Sequence, residues 1–269
     1  MMLNEWTRHL EKTLISVHGI KTAIFASPDN GKPVAIFLHG INGDHHGLVP
    51  LAHAAQNYRP ILVDLVGHGE TDIPRNGAAD ITTIRRWFSQ VVDQVAKRYG
   101  RPALVVTHSF GCYAAGRDNQ IKSVFICPVP TASKFYTQMS RLGDFLFKTR
   151  LAVALYNSFP FSVARGVKLL HIRTKQTIDL VIFLSKVSRA ATVKQRRYQA
   201  RLALMSNQED IFRGIDPDMV IIGLADKVAD ERTAAQMQKV FRSATINSVP
   251  GGHLAPIENA DEVFAIIGL

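Results

Sequence analysis

The chain has 269 residues, 46% of them hydrophobic and 20% charged, which is ordinary globular usage and excludes a disordered chain. No apolar run approaches the roughly 18 residues of a membrane helix, and two cysteines, Cys112 and Cys127, are too few for a disulfide framework and lack metal-site spacing. The net charge of +10 is uneven: residues 131–218 hold fifteen Lys or Arg against six Asp or Glu, which leaves the rest of the chain close to neutral.

The opening stretch, MMLNEWTRHLEK, is polar and has no signal-peptide core, so a cytoplasmic, reducing compartment is expected, with the protein soluble or peripheral to a membrane. Residues 13–19 (TLISVHG) and 20–27 (IKTAIFAS) then read as a strand hairpin. The runs 34–38 (VAIFL) and 60–65 (PILVDL) are continuously apolar, as strands buried on both faces are. A helix is expected over 80–99, opened by Asp80 and closed by Gly100, with Ile84, Trp87, Phe88, Val91, Val92 and Val95 on one side. A strand at 103–107, a short helix at 110–118 and a strand at 123–127 follow. After a long helical stretch the pattern resumes with a strand at 219–224, a helix near 230–241, a strand near 244–249 and a helix near 257–267. Such alternation predicts an α/β fold: a mostly parallel, eight-stranded sheet flanked by helices. The basic region 131–218 interrupts it between strands six and seven and has helix formers but no strand signal. It is expected to form a helical cap domain on a core made of 1–130 and 219–269.

The segment Thr107-His108-Ser109-Phe110-Gly111 lies between an expected strand and an expected helix. A Ser on such a tight turn presents its hydroxyl above the sheet. Gly111 provides the small neighbour the turn needs, whereas Thr107 stands where glycine is commonest. A serine hydroxyl needs a base to take its proton, and the base needs a carboxylate to hold its tautomer. Asp226 follows the strand at 219–224, and His253 follows the last strand. Acid and base thus both leave carboxyl ends of strands, where open α/β sheets bind ligands. Asp230 is an alternative acid, although it stands where a helix cap is expected.

Several other residues have structural readings. His68 and Asp64 are expected to tie down the loop after the fourth strand, and Glu258 to support the His253 loop. Cys112 reads as a packed small residue. His45-His46 resembles a metal pair, but adjacent histidines face different ways and no ligand cluster joins them, so neither metal nor cofactor is expected. His39 is expected to organise its loop. His108 either lines the pocket or only packs.

The chain resembles an α/β-hydrolase with a cap domain. The resemblance rests on His39-Gly40 after the third strand, the run from Asp64 to Gly69 after the fourth, and the Ser109 turn after the fifth. Asp226 after the seventh and Gly252-His253 with Pro256 and Glu258 after the eighth complete it. It implies a catalytic triad of Ser109, His253 and Asp226, with the backbone N–H groups of Ile41 and Phe110 as oxyanion hole. The segment HGINGD lacks the glycine triplet of some esterases, and a Ser at the turn disfavours the dehalogenases and epoxide hydrolases that use Asp there. The activity implied is a serine hydrolase cleaving a carboxylic ester, with a lipid-like or other hydrophobic acyl part. The alternatives are a thioesterase, a carbon–carbon bond hydrolase, or a binding protein that docks anionic partners through its cap. The cap mixes apolar stretches with cations, so it is expected to turn apolar faces toward an acyl chain and Lys or Arg outward. That outer surface would meet an anionic membrane or an acidic acyl carrier, or else be a solvated basic face. Nucleic acid is not expected, because no binding motif accompanies the charge.

Overall fold

Short strands buried from end to end set the architecture. In the computed structural model, residues 7–77, 79–116, 120–158, 191–205, 211–229 and 233–268 are described. The strands are β1 (Glu11–Val17), β2 (Ile20–Ala26), β3 (Val34–Leu38), β4 (Arg59–Val63), β5 (Pro102–His108), β6 (Lys122–Ile126), β7 (Met219–Gly223) and β8 (Thr245–Val249). They form one sheet in the order β1-β2-β4-β3-β5-β6-β7-β8. β2 is antiparallel to both β1 and β4, and all other pairs are parallel. The hairpin closes through His18 and Gly19, both at positive φ, which is the backbone a two-residue turn between twisted strands requires.

Each strand feeds two cores, because successive side chains point to opposite faces. Ile36, Leu38, Ile61 and Val63 pack with Trp87 and Phe88 on one face. Ala35, Phe37 and Leu62 pack with Leu51, Val263 and Ile267 on the other. The first face is covered by α2 (Ile81–Tyr99), whose N-terminus is capped by Asp80 accepting the Thr83 N–H at 2.7 Å. Its Trp87 is fully buried and donates its indole N–H to Thr22 Oγ1 at 2.9 Å. The opposite face is covered by α1 (Val49–Ala54), α7 (Ala255–Glu258) and α8 (Ala260–Gly268).

Among the described residues three helices lie between β6 and β7, α3 (Lys134–Leu146), α4 (Arg150–Asn157) and α5 (Val193–Leu204), and α6 (Ala234–Val240) precedes β8; residues 159–190 and 206–210 of the expected cap lie outside the described residues.

Several expectations are corrected. Of the helix expected over 110–118, the described residues hold one tight 3-10 turn at Ser109–Tyr113, and 117–118 lie outside the described residues. The helix expected near 257–267 starts two residues earlier and breaks at Asn259, whose φ and ψ are −133° and 46°. The helix α1 was not expected, being six residues long and opened by a turn with Pro50. The expected inward apolar and outward cationic faces of the insert are reversed in part. Met139, Leu142, Phe145, Leu146, Leu151 and Leu155 face solvent, while Arg196 is buried. The inner faces are taken by Tyr136, Phe147, Val153 and Tyr156, so the outer ones keep their apolar side chains uncovered. Asp230 lies outside the described residues.

Candidate active site

The site is assembled at the carboxyl ends of β3, β5, β7 and β8. Ser109 leaves β5 with φ 54°, a conformation costly for a residue with a Cβ, by about 1–3 kcal/mol. The turn survives because its neighbours are glycines. A Cβ on Gly111 would lie 2.7 Å from the His39 carbonyl oxygen and 2.9 Å from that of Leu38. A Cβ on Gly40 would lie 2.7 Å from the Ser109 Cβ. The end of β3 and the serine turn therefore touch backbone to backbone. Thr107, where glycine is commonest, is fully buried, and its Oγ1 has no hydrogen-bond partner among the described residues.

The structure brings Ser109, His253 and Asp226 into one hydrogen-bonded chain. Ser109 Oγ lies 2.6 Å from His253 Nε2, and His253 Nδ1 lies 2.8 Å from Asp226 Oδ2. All three are buried. The second Asp226 oxygen accepts the Val228 N–H at 2.8 Å. Burial alone would raise the Asp226 carboxyl, but the charge and hydrogen bond of His253, with the Val228 N–H, hold it below the ordinary carboxylate range. An ionised Asp226 takes a proton donated by Nδ1, which leaves Nε2 free to accept from the Ser109 hydroxyl.

The supporting histidines have separate tasks. His108 donates its Nε2–H to the His253 carbonyl at 2.7 Å, a bond between the strand that leads into Ser109 and the loop that carries His253. Burial, then the neighbouring His253, lowers it to about 3, so it is neutral. His39 donates Nδ1–H to the Gly40 carbonyl at 2.7 Å and accepts the Leu65 N–H on Nε2 at 3.0 Å. It therefore joins the loop after β3 to the loop after β4. Asp64 accepts the N–H of His45 at 2.8 Å, the His45 ring at 2.9 Å and the Glu70 N–H at 2.8 Å. Glu258 accepts the Gly252 N–H at 3.0 Å, next to His253. His68 is buried and donates to the Val66 carbonyl at 3.0 Å. Cys112 is buried, and burial pushes its thiol up to about 12, far from a reactive thiolate.

Ile41 follows the glycine that abuts Ser109, and Phe110 follows Ser109 itself, so both stand at the turn. Two groups among the described residues bring three potential metal-ligand atoms within 4.8 Å: His108, Cys127 and His253, and Asp44, His45 and His46. In the first, His253 already meets Ser109 and Asp226 through its two ring nitrogens, so an ion there would break the chain. In the second, the His45 ring is held by Asp64 and the His46 ring by Asp44 at 3.1 Å.

One part of the site had only a faint signal in the sequence. Helix α5 is pinned to the loops around Ser109. Arg196 donates to Asn42 Oδ1 at 3.3 Å, Gln199 Oε1 at 2.9 Å and Asn157 Oδ1 at 2.9 Å. Gln199 donates to the Gly67 carbonyl at 3.0 Å, and Gln195 to that of Gly69 at 3.3 Å. The Tyr198 ring fills the space a Cβ on Gly67 would need. Only the spacing of Gln195 and Gln199, one helical turn apart, hints at this in the sequence.

Residues 35–266 match the alpha/beta hydrolase family. The Cif epoxide hydrolase from Acinetobacter nosocomialis has a TM-score of 0.73 and 17% identity, covering 99% of this chain and 94% of that one. A membrane phospholipase A has a TM-score of 0.73 and 16% identity, covering 99% and 87%. The thioesterase domain from the curacin biosynthetic pathway has a TM-score of 0.67 and 17% identity, covering 97% and 99%. No curated protein matches. At such identities these structures share a fold while differing in chemistry. The family match spans most of the chain, and this protein belongs to the alpha/beta hydrolase family.

Proposed function

We propose that this chain is a serine hydrolase that cleaves a carboxylic ester with a hydrophobic acyl part. In this reading residues 1–130 and 219–269 form the catalytic core domain and residues 131–218 a cap. The observation that carries it is the buried chain from Ser109 through His253 to Asp226, with contacts of 2.6 and 2.8 Å. Ser109 Oγ attacks the carbonyl carbon as its proton passes to His253 Nε2. The carbon–alkoxy bond then breaks, and His253 returns that proton to the leaving alcohol. A water attacks the acyl-Ser109, again losing a proton to His253, and the carboxylic acid leaves as Ser109 regains its hydrogen. Asp226 stays ionised and holds the Nδ1 proton throughout. The N–H groups of Ile41 and Phe110 receive the charge that develops on the carbonyl oxygen, and a lost donor of this kind costs about 3–4 kcal/mol of barrier.

Fluorophosphonate labelling followed by intact mass tests the reading. One adduct on the wild type, absent from Ser109→Ala, is expected. No adduct on the folded wild type overturns it and favours a binding protein. A chain-length series of p-nitrophenyl esters beside acyl-thioesters then fixes the bond: faster turnover of thioesters replaces the ester assignment with a thioesterase.

A further inference from the structure

Helices α3 and α4 pack with one face and show solvent another that is also apolar. The inner side of α3 carries Tyr136, Ser140 and Gly143, and that of α4 carries Val153 and Tyr156. Outward stand Met139, Leu142, Phe145 and Leu146 on α3, at spacings of three, three and one, and Leu151 and Leu155 on α4, one turn apart. Phe145 is 66% exposed and Leu151 71%. Only Leu14 and Leu224 are exposed large hydrophobics elsewhere among the described residues, so this is a concentrated patch rather than scatter.

The charges around the patch are of one sign. Lys134, Arg141, Lys148 and Arg150 are exposed on these two helices and the turn between them, with no acidic partner among the described residues. The one acid of 134–157, Asp144, turns away to Arg201 at 3.6 Å. The Lys148 ammonium stands 5.3 Å over the Phe145 ring, so cation and apolar group share one ridge. This pairing decides between occupants. A second copy on the same face would bring two sets of cations together, and the centres of protein interfaces are depleted in lysine. An anionic lipid surface accepts both features: Phe and Leu enter the boundary of the acyl chains, and long cationic side chains stay at the level of the phosphates.

We propose that the outer face of α3 and α4 is a docking surface for an anionic lipid bilayer. The inference stands whether or not Ser109 is a nucleophile. The test is flotation of the full chain with vesicles of phosphatidylcholine alone and with phosphatidylglycerol added. Two double variants accompany it, Phe145→Ser with Leu151→Ser, and Lys148→Glu with Arg150→Glu. All four residues are exposed, so thermal melting by circular dichroism should match the wild type. The wild type is expected to float with the anionic vesicles, and each double variant to lose about tenfold or more in partition. Equal flotation with both vesicle types overturns the proposal, as does no flotation of the wild type, or flotation of both double variants like the wild type. A wild-type dimer in sedimentation that either pair of changes makes monomeric assigns the face to a second copy and also overturns it. Fluorophosphonate labelling of the same samples reports Ser109 separately: vesicle binding without an adduct leaves the docking surface standing and defeats the hydrolase, and an adduct without binding does the reverse.

Discussion

Ser109, His253 and Asp226 are useful to one another only in one tautomer. The 2.8 Å bond from His253 Nδ1 to Asp226 leaves Nε2 as acceptor at 2.6 Å from the serine hydroxyl. Asp226→Asn would offer an amide N–H to that ring and favour the wrong tautomer. Its kcat on p-nitrophenyl esters is expected to fall by about 10⁴ with little change in melting temperature, and a loss of under tenfold would remove Asp226 from the triad. The buried histidines predict an acid limb of stability. Burial, then His253, lowers His108 to about 3, and burial also lowers His39 and His68. An unfolded chain protonates its histidines near about 6.5. Below that pH the unfolded state binds protons that the folded state does not, so stability falls as pH drops and recovers as it rises. Asp226, held below the ordinary range, adds a further loss only under about pH 4, as pH falls through its lowered folded value. Urea midpoints should decline from about pH 6.5 downward, with protons taken up on unfolding, about one of them by His108. His108→Gln keeps a donor for the His253 carbonyl and should remove about one of those protons; an unchanged slope would mean that His108 is charged in the fold.

At the scale of elements, the serine turn is held by close backbone contact and helix α5 by side-chain hydrogen bonds. A methyl at Gly111 would meet the His39 and Leu38 carbonyls at 2.7 and 2.9 Å. Gly111→Ala should destabilise by about 1–3 kcal/mol and displace Ser109, read as a lower melting temperature together with lost fluorophosphonate labelling. Normal labelling would show that the turn can shift without harm. Arg196 holds α5 to α4 through Asn157 and to the loop after β3 through Asn42. Arg196→Met leaves the buried Gln199 Oε1 without its donor, at a cost of about 1–3 kcal/mol, and drops the part-buried bonds to Asn157 and Asn42 as well. Lys at 196 should not rescue it, because a point charge cannot reproduce the guanidinium fork. Equal melting of wild type, Met and Lys variants would refute the clamp. None of these partners shares a motif or a fixed spacing, so Arg196 reads in the sequence as one more cation of the insert.

Across the whole molecule, a near-neutral sheet carries a basic insert, and the two report on different physics. The sheet is held by apolar burial on both faces, which charge screening does not weaken. The insert's charges act over a Debye length of about 10 Å at 0.1 M salt and about 3 Å at 1 M. Retention on anionic vesicles should therefore fall between those salt concentrations while the melting temperature stays level. Retention that is unchanged at high salt would leave the cations without a part in docking.

The sequence by itself determined the alternating strands and helices, and hence the sheet. Runs such as VAIFL and MVIIG can only be covered on both sides, and Asp80 and Gly100 bound α2 by local hydrogen bonding and backbone freedom. It also placed Ser109, Asp226 and His253 after the fifth, seventh and eighth strands, which brings all three to the carboxyl ends of parallel strands. The tertiary structure decided what periodicity cannot encode. Helix α3 has apolar residues on two faces, so its sequence permits either to be buried, and packing against α5 leaves Leu142 and Phe145 outward. The tie from His108 to the His253 carbonyl, and those from Arg196 and Gln199 to Asn42 and Gly67, join residues between 132 and 154 positions apart. A side chain's composition announces that it can donate or accept a hydrogen bond, and only the folded chain says to which distant group.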